Sequence, residues 1–236
     1  MRMTAALLSC LYVLGTVQAG EGNTVDVVQE NPHHSMPGHL LVVDQTEARN
    51  SRVSGLGPID AGNLLETATT LLPRISGDLL STVSALQRGS GHTATVTLGG
   101  DGGQVALFQD NSMSSGAGNH AQISTQGQAL GVLYQSGSDH HARLTLHGSA
   151  NALAQGLIAQ EGLGLNASLH VAEGGTGEII QQGAHSSASL DVATGTHASY
   201  TQIGNHLQNI GATGVQVFST QPGMVSITQS GSAGLR

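Results

Sequence analysis

The chain has 236 residues, a formal net charge of −8, 9% charged and 2% aromatic residues, 34 glycines and no tryptophan. Ordinary domains carry about 25% charged residues, so a conventional core of large side chains is excluded. With 7 Lys+Arg against 15 Asp+Glu, and none of the seven a lysine, a phosphate-binding surface for nucleic acid is excluded as well.

In chain order, Arg2, an apolar run from Ala5 to Val17, and Val17-Gln18-Ala19 before Gly20 read as a secretory signal peptide over residues 1–19. The run is shorter than the roughly 20 residues of a bilayer-spanning helix, so a secreted chain without stable membrane insertion is expected. Cys10, the single cysteine, lies inside this segment, and cleavage leaves neither thiol nor disulfide. Residues 20–62 carry Pro32, Pro37 and Pro58 and keep no sustained period, which predicts a flexible, irregular leader. Its histidines, His33, His34 and His39, have no acidic or cysteine ligands at an ordered spacing and read as surface residues. Over residues 63–82, Leu64, Ala68, Leu71, Leu72, Ile75 and Leu79 recur at three- and four-residue steps, interrupted by Pro73 and Gly77. That spacing predicts one or two short amphipathic helices, placed to cap the first repeat or to dock a secretion partner.

From residue 83 to 236 a single unit recurs, and recurrence decides architecture before local propensity does. Gln87, Gln109, Gln135, Gln160, Gln181, Gln202 and Gln229 are separated, by subtraction, by 22, 26, 25, 21, 21 and 27 residues. Two residues after them stand the turn glycines Gly89, Gly137, Gly162, Gly183, Gly204 and Gly231, with Asn111 in the remaining place. Two residues before them stand Ala85, Leu107, Leu133, Ile158, Ile179, Tyr200 and Ile227. A period of two puts these residues and the glutamines on one face of a strand. After a Gly- and Ser-rich turn comes a second strand, whose triplets are Ala94/Val96/Leu98, Ala121/Ile123/Thr125, Ala142/Leu144/Leu146, Ala167/Leu169/Val171 and Ala188/Leu190/Val192. The next repeat is ragged, with its second strand placed loosely at Val215 to Ser219. The pattern predicts an all-β fold, a β-solenoid of about seven strand-turn-strand rungs, with the short helical segment before the first rung. Stacking identical rungs about 4.8 Å apart lines the glutamines into a hydrogen-bonded ladder and the aliphatic columns into a thin dry seam.

The motif hydrophobic-x-Gln-x-Gly-x-x-Asn-x-Ala, repeated at this length behind a signal peptide, resembles the curlin repeat of curli amyloid subunits over residues 83–231. The resemblance implies a bacterial protein secreted unfolded through an outer-membrane pore, which polymerises with itself and with other curli-like subunits into adhesive fimbrial fibres of a biofilm matrix. This chain departs from the pattern in two columns. The asparagine two before the alanine is kept only at Asn119, with His92, His140, Leu165 and Ser186 elsewhere. The second glutamine, four after the alanine, is replaced by Leu98, Thr125, Leu146, Val171 and Val192. The glutamine column is the expected assembly ladder; a monomeric solenoid adhesin is the alternative, differing in whether the ends are capped.

Other chemistry is not expected. No Gly-x-Ser-x-Gly elbow is present, and Asp101, Asp110, Asp139, Glu161, Glu173, Glu178 and Asp191 mostly fall in turns or outward strand positions, as solvated charges that keep edges apart. Gly99-Gly100-Asp101-Gly102-Gly103 resembles one turn of a calcium-binding array but occurs once, and such arrays need tandem copies. His140 and His141 share a turn with Asp139, and His92 occupies the column of His140; they read as exposed turn residues that stacking could bring together. No enzyme activity, cofactor or metal is expected.

Overall fold

The computed structural model describes residues 4–5, 14–32, 37–56, 83–208, 215–217 and 224–231. Among them the regular structure is all β, and the strands, in chain order, are β1 (Thr4–Ala5), β2 (Leu14–Ala19), β3 (Thr24–Glu30), β4 (Leu40–Gln45), β5 (Ala48–Arg49), β6 (Arg52–Ser54), β7 (Ala85–Arg88), β8 (Thr93–Asp101), β9 (Gln104–Asp110), β10 (His120–Gln126), β11 (Ala129–Ser138), β12 (Ala154–Leu163), β13 (Asn166–Val171), β14 (Thr176–Ala184), β15 (Ser187–Val192), β16 (His197–Ile203), β17 (Val215–Val217) and β18 (Met224–Ser230).

Every paired strand runs parallel to its neighbours. One ten-stranded sheet takes the glutamine-bearing strands, in the order β1-β3-β6-β9-β11-β12-β14-β16-β18 with β7 beside β3 and β9. The alanine-triplet strands form a five-stranded sheet, β10-β8-β4-β2 with β5 on β8, and a three-stranded sheet, β13-β15-β17. Bridges from His120 to His141 and from His141 to Asn166 carry one into the other. The chain therefore alternates between two layers, and each circuit lands in register on the one before.

The core lies between the layers. Leu107, Leu133, Ile158 and Ile179 from the first sheet, and Val96, Ile123, Leu144, Leu169 and Leu190 from the second, are buried to 1% exposure or less. Ala94, Ala121, Ala167, Ala188 and Tyr200 are buried among them, while Ala142 and Ile227 pack against the cluster from partly buried positions. Over residues 141–147 no strand forms, because Leu144 and Thr145 take φ of 99° and 77° and break the ladder. Leu144 and Leu146 remain fully buried, and glycine makes the room: a Cβ on Gly131 would lie 2.6 Å from Leu144 Cδ2, and one on Gly156 2.9 Å from Leu146 Cδ2.

Two expectations are corrected. The segment 20–62 is not an irregular leader: β3, β4, β5 and β6 fall in it, and Leu41, Val43 and Val53 are part of the core. Their sequence hides this because Val27 and Gln29 pair with Ala85 and Gln87, 58 residues later, so no near-repeat announces them. Nor does the segment 63–82 stand before the first circuit. Its own structure lies outside the described residues, but its neighbours are placed. β6 pairs with Gln104, Val105 and Ala106 and β7 with Phe108, Gln109 and Asp110, so the two short strands act as one strand against β9. β6 ends at Ser54 and β7 begins at Ala85, and the Gly55 amide donates to the Val83 carbonyl at 2.7 Å, which holds the two strand ends side by side.

Candidate assembly ladder

Because the strands are parallel and in register, Gln29, Gln87, Gln109, Gln135, Gln160, Gln181, Gln202 and Gln229 stand in one column. Each side-chain Nε2 donates to Oε1 of the next glutamine: Gln29 to Gln87 at 2.5 Å, then onward at 2.7, 2.8, 2.9, 2.9, 2.8 and 3.0 Å to Gln229. The six from Gln87 to Gln202 are fully buried. A buried primary amide has two N–H donors to satisfy, and the second often ties the two layers together. Gln109 Nε2 reaches the Asn119 carbonyl at 3.1 Å, Gln135 that of His120 at 3.2 Å, Gln160 that of His141 at 3.2 Å and Gln202 that of Ser187 at 3.1 Å. All seven glutamines expected from the sequence fall in the ladder; Gln29 is the one sequence reasoning missed, for the reason of spacing given above.

The ladder is directional. Gln29 Oε1 is buried without a hydrogen-bond partner at one end, and at the other Gln229 has passed its Oε1 to Gln202 and turns Nε2 toward the Gln208 carbonyl at 3.3 Å. A buried, unpartnered acceptor stands at the N-terminal end and a donor of the half-buried Gln229 at the C-terminal end.

The turn glycines stack as expected. Gly89, Gly137, Gly162, Gly183 and Gly204 have φ between 112° and 132°, which only glycine adopts readily. At Gly162 an added Cβ would also lie 1.9 Å from the Gly183 carbonyl oxygen. Asn111, the exception, bonds the neighbouring turn instead, accepting from the Ser90 amide at 2.8 Å and donating to the Ser90 carbonyl at 3.1 Å. Gly231 ends the column in the last circuit.

The column that follows the turn holds His39, His92, Asn119 and His140, and here the expectation of exposed histidines is overturned. His39 is 5% exposed and His92 and His140 are fully buried. His39 stacks on His92 with ring centroids 5.0 Å apart. Each ring spans two circuits: Nε2 meets a carbonyl of its own turn (Glu30 at 3.1 Å, Arg88 at 2.7 Å, Ser136 at 2.9 Å), and Nδ1 accepts the backbone N–H of the next circuit (His92 at 3.3 Å, Asn119 at 3.0 Å, Leu165 at 3.3 Å). Those partners assign the neutral tautomer with the proton on Nε2. Burial lowers all three pKa values, those of His92 and His140 to about 4. Asn119 does the same work without a ring, donating to the Gly137 carbonyl at 3.0 Å and accepting from the His140 amide at 3.1 Å.

Of the carboxylates expected on solvated positions, Glu178 departs most. It is 6% exposed, accepts from the Ser199 hydroxyl at 3.2 Å, and burial raises its pKa. The column of the replaced second glutamine is apolar, as expected, except at Thr125 and at Gln45, the position four after Leu41; both are buried with side-chain polar atoms unpartnered. Exposed histidines pair across circuits, His120 with His141 and His185 with His206, while His170 Nδ1 bonds Asp191 at 2.6 Å. No group of three or more potential metal ligands converges among the described residues. No family model, curated protein or solved structure matches the chain.

Proposed function

We propose that this chain is a secreted structural subunit, a β-solenoid whose circuits stack end to end with those of other copies into curli-like, amyloid-like extracellular fibres. The observation that carries this reading is the pair of unlike ladder ends: the unpartnered acceptor of Gln29 and the second amide N–H of Gln229 are complementary, so a second copy placed head to tail, on a chain freed of residues 1–19, continues the column without a break. Such an interface is heterologous and does not close on itself, which is the condition for a filament. Both ends also offer strand edges in the ten-stranded sheet, and Met224 and Val225 in the last strand are exposed apolar residues at 79% and 38%. Cleavage after Ala19 would remove β1 and β2, which lie along β3 and β4, and so free the N-terminal edges.

The second reading is a monomeric solenoid adhesin, and the pairing of β2 with β4 favours it for as long as residues 1–19 stay attached. Incubation of the mature chain with preformed seeds separates the two. Fibres that bind amyloid dyes and diffract near 4.8 and 10 Å support the subunit; a chain that stays monomeric and folded is the adhesin.

A further inference from the structure

Outside the buried column, histidines of neighbouring circuits form three pairs among the described residues, and one pair differs in kind from the other two. His120 lies over His141 and His185 over His206 as stacked rings, with interplanar angles of 13° and 20°. A ring nitrogen carries its lone pair in the ring plane, so two stacked imidazoles aim theirs side by side and not at one point. His147 and His170 instead meet edge-on, at 69° with ring centroids 5.2 Å apart, and His147 Nδ1 stands 3.1 Å from His170 Nε2. The fold holds them there. Strand alternation buries Leu169 and Val171 on either side of His170, and Leu190 and Val192 on either side of Asp191, so His170 and Asp191 point outward as register partners on β13 and β15. Leu146 is buried just before His147, whose amide donates to the Val171 carbonyl at 3.1 Å.

We propose that His147 Nδ1 and His170 Nε2 are the two protein ligands of a surface site for a late first-row divalent cation such as Zn²⁺, Ni²⁺ or Cu²⁺, with Asp191 as the group that orients His170. Asp191 Oδ1 lies 2.6 Å from His170 Nδ1. A carboxylate only accepts, so it fixes the His170 proton on Nδ1 and leaves the lone pair on Nε2. This is the arrangement in which a carboxylate sets the tautomer of a metal-binding imidazole, holds its ring and raises its basicity. Without a cation, His147 Nδ1–H donates to His170 Nε2. His147 is exposed, so its proton can move to Nε2, where water accepts it, and two lone pairs then face one another with no net proton released. Bonds of about 2.0 to 2.1 Å that meet at an angle between the right and the tetrahedral angle set two nitrogens about 2.9 to 3.4 Å apart; the 3.1 Å between His147 and His170 falls within that span. Neutral imidazole nitrogens select Zn²⁺, Ni²⁺ and Cu²⁺ over the oxygen-seeking Mg²⁺ and Ca²⁺. The remaining coordination positions go to water at this exposed surface, and the chain's net charge of −8 draws cations toward it. This inference stands independently of fibre assembly.

Zn²⁺ is diamagnetic and serves as the probe. The chain without residues 1–19 carries His33→Asn and His34→Asn throughout, so that this adjacent pair adds no background, and is used at concentrations where sedimentation gives a monomer. It is titrated with Zn²⁺ above about pH 7, where histidine is neutral, while nitrogen-15 NMR follows the imidazole rings and a chromogenic chelator competes for the ion. The proposal expects the His147 and His170 rings to shift together and to saturate at one Zn²⁺ per chain, before His120, His141, His185 or His206 respond. His147→Gln and His170→Gln should each weaken binding at least about tenfold, and Asp191→Ala by about 10- to 100-fold, while the amide spectrum of each variant stays that of the folded chain. A His185→Gln, His206→Gln chain should bind as the unaltered one does. Rings of His147 and His170 that do not shift together, or unchanged affinity in a folded His147→Gln, His170→Gln or Asp191→Ala chain, overturn the site. An equal response from the stacked His185 and His206 overturns it as well, since any surface pair would then suffice.

Discussion

His92 and His140 accept a backbone N–H at Nδ1, so a proton on that nitrogen would face a donor with a donor inside a dry column. The unfolded chain titrates near 6.5 and the folded one near 4 at these two rings. Their contribution to stability is therefore full above about pH 6.5 and lost as pH falls through about 4, by about 3 kcal/mol per histidine. Asp110 and Asp139 nearby moderate the shift, while His39, His120 and His141 deepen it. Glu178 acts in the opposite sense, since its raised pKa favours the folded state once it is protonated. Asn119 shows which side chain spans the same gap without titrating, so a His92→Asn, His140→Asn chain should lose much less stability between about pH 7 and pH 4.5 than the unaltered one in urea unfolding. The glutamine column is tested separately. Gln181→Leu leaves Gln160 Nε2 without its acceptor and Gln202 Oε1 without its donor, at about 1 to 3 kcal/mol for each buried group. Asp191→Asn touches only a half-exposed pair with His170 and should shift the urea midpoint by less than about 1 kcal/mol equivalent.

At the scale of the element, turns and strands respond to the same substitution very differently according to what lies above them. Gly162 combines a φ of 131° with the Gly183 carbonyl in the path of a Cβ, whereas Gly195 has a φ of 66° and nothing within 4 Å. Gly162→Ala should cost at least about 2 kcal/mol and Gly195→Ala about 1 kcal/mol, measured as the difference in thermal midpoint of the two variants. The elements that were legible in the sequence are those with an unbroken period of two: the glutamine strands, their inward aliphatics and four of the five second-strand triplets. The fifth, over Ala142, Leu144 and Leu146, kept its burial but not its strand, since the spacing carries no sign of the positive φ at Leu144 and Thr145. The first circuit was illegible because its partner strand is interrupted after Ser54, which moves Gln29 far from Gln87 in sequence and leaves Val27-x-Gln29 as an isolated fragment. The buried histidines were missed for another reason: a histidine in a turn reads as polar, and only the register reveals that it replaces the column's asparagine.

For the whole molecule, parallel in-register stacking means that most contacts are between neighbouring circuits, so stability grows circuit by circuit and the two ends are chemically unlike. The N-terminal end holds the Gln29 acceptor and the C-terminal end the Gln229 donor. Growth by addition of copies should therefore be polar, and a Gln229→Leu chain should elongate seeds more slowly than the unaltered chain; because Gln229 Oε1 accepts from Gln202 Nε2 and Tyr200 Oη, its stability in urea unfolding should also fall, by about 1 to 3 kcal/mol for each buried donor left unpaired. The most direct measurement of the head-to-tail ladder uses the absence of cysteine from the chain once residues 1–19 are removed. If Gln229 of one copy continues onto Gln29 of the next, Thr228 comes to lie beside Val28 as a parallel neighbour, at a spacing of about 4.8 Å that a disulfide can bridge. A Val28→Cys, Thr228→Cys chain, assembled and then mildly oxidised, should give a ladder of covalent oligomers on a denaturing gel, while either single variant stops at dimers or monomers. Fibres that form from the double variant but release only monomers and dimers would contradict the head-to-tail ladder.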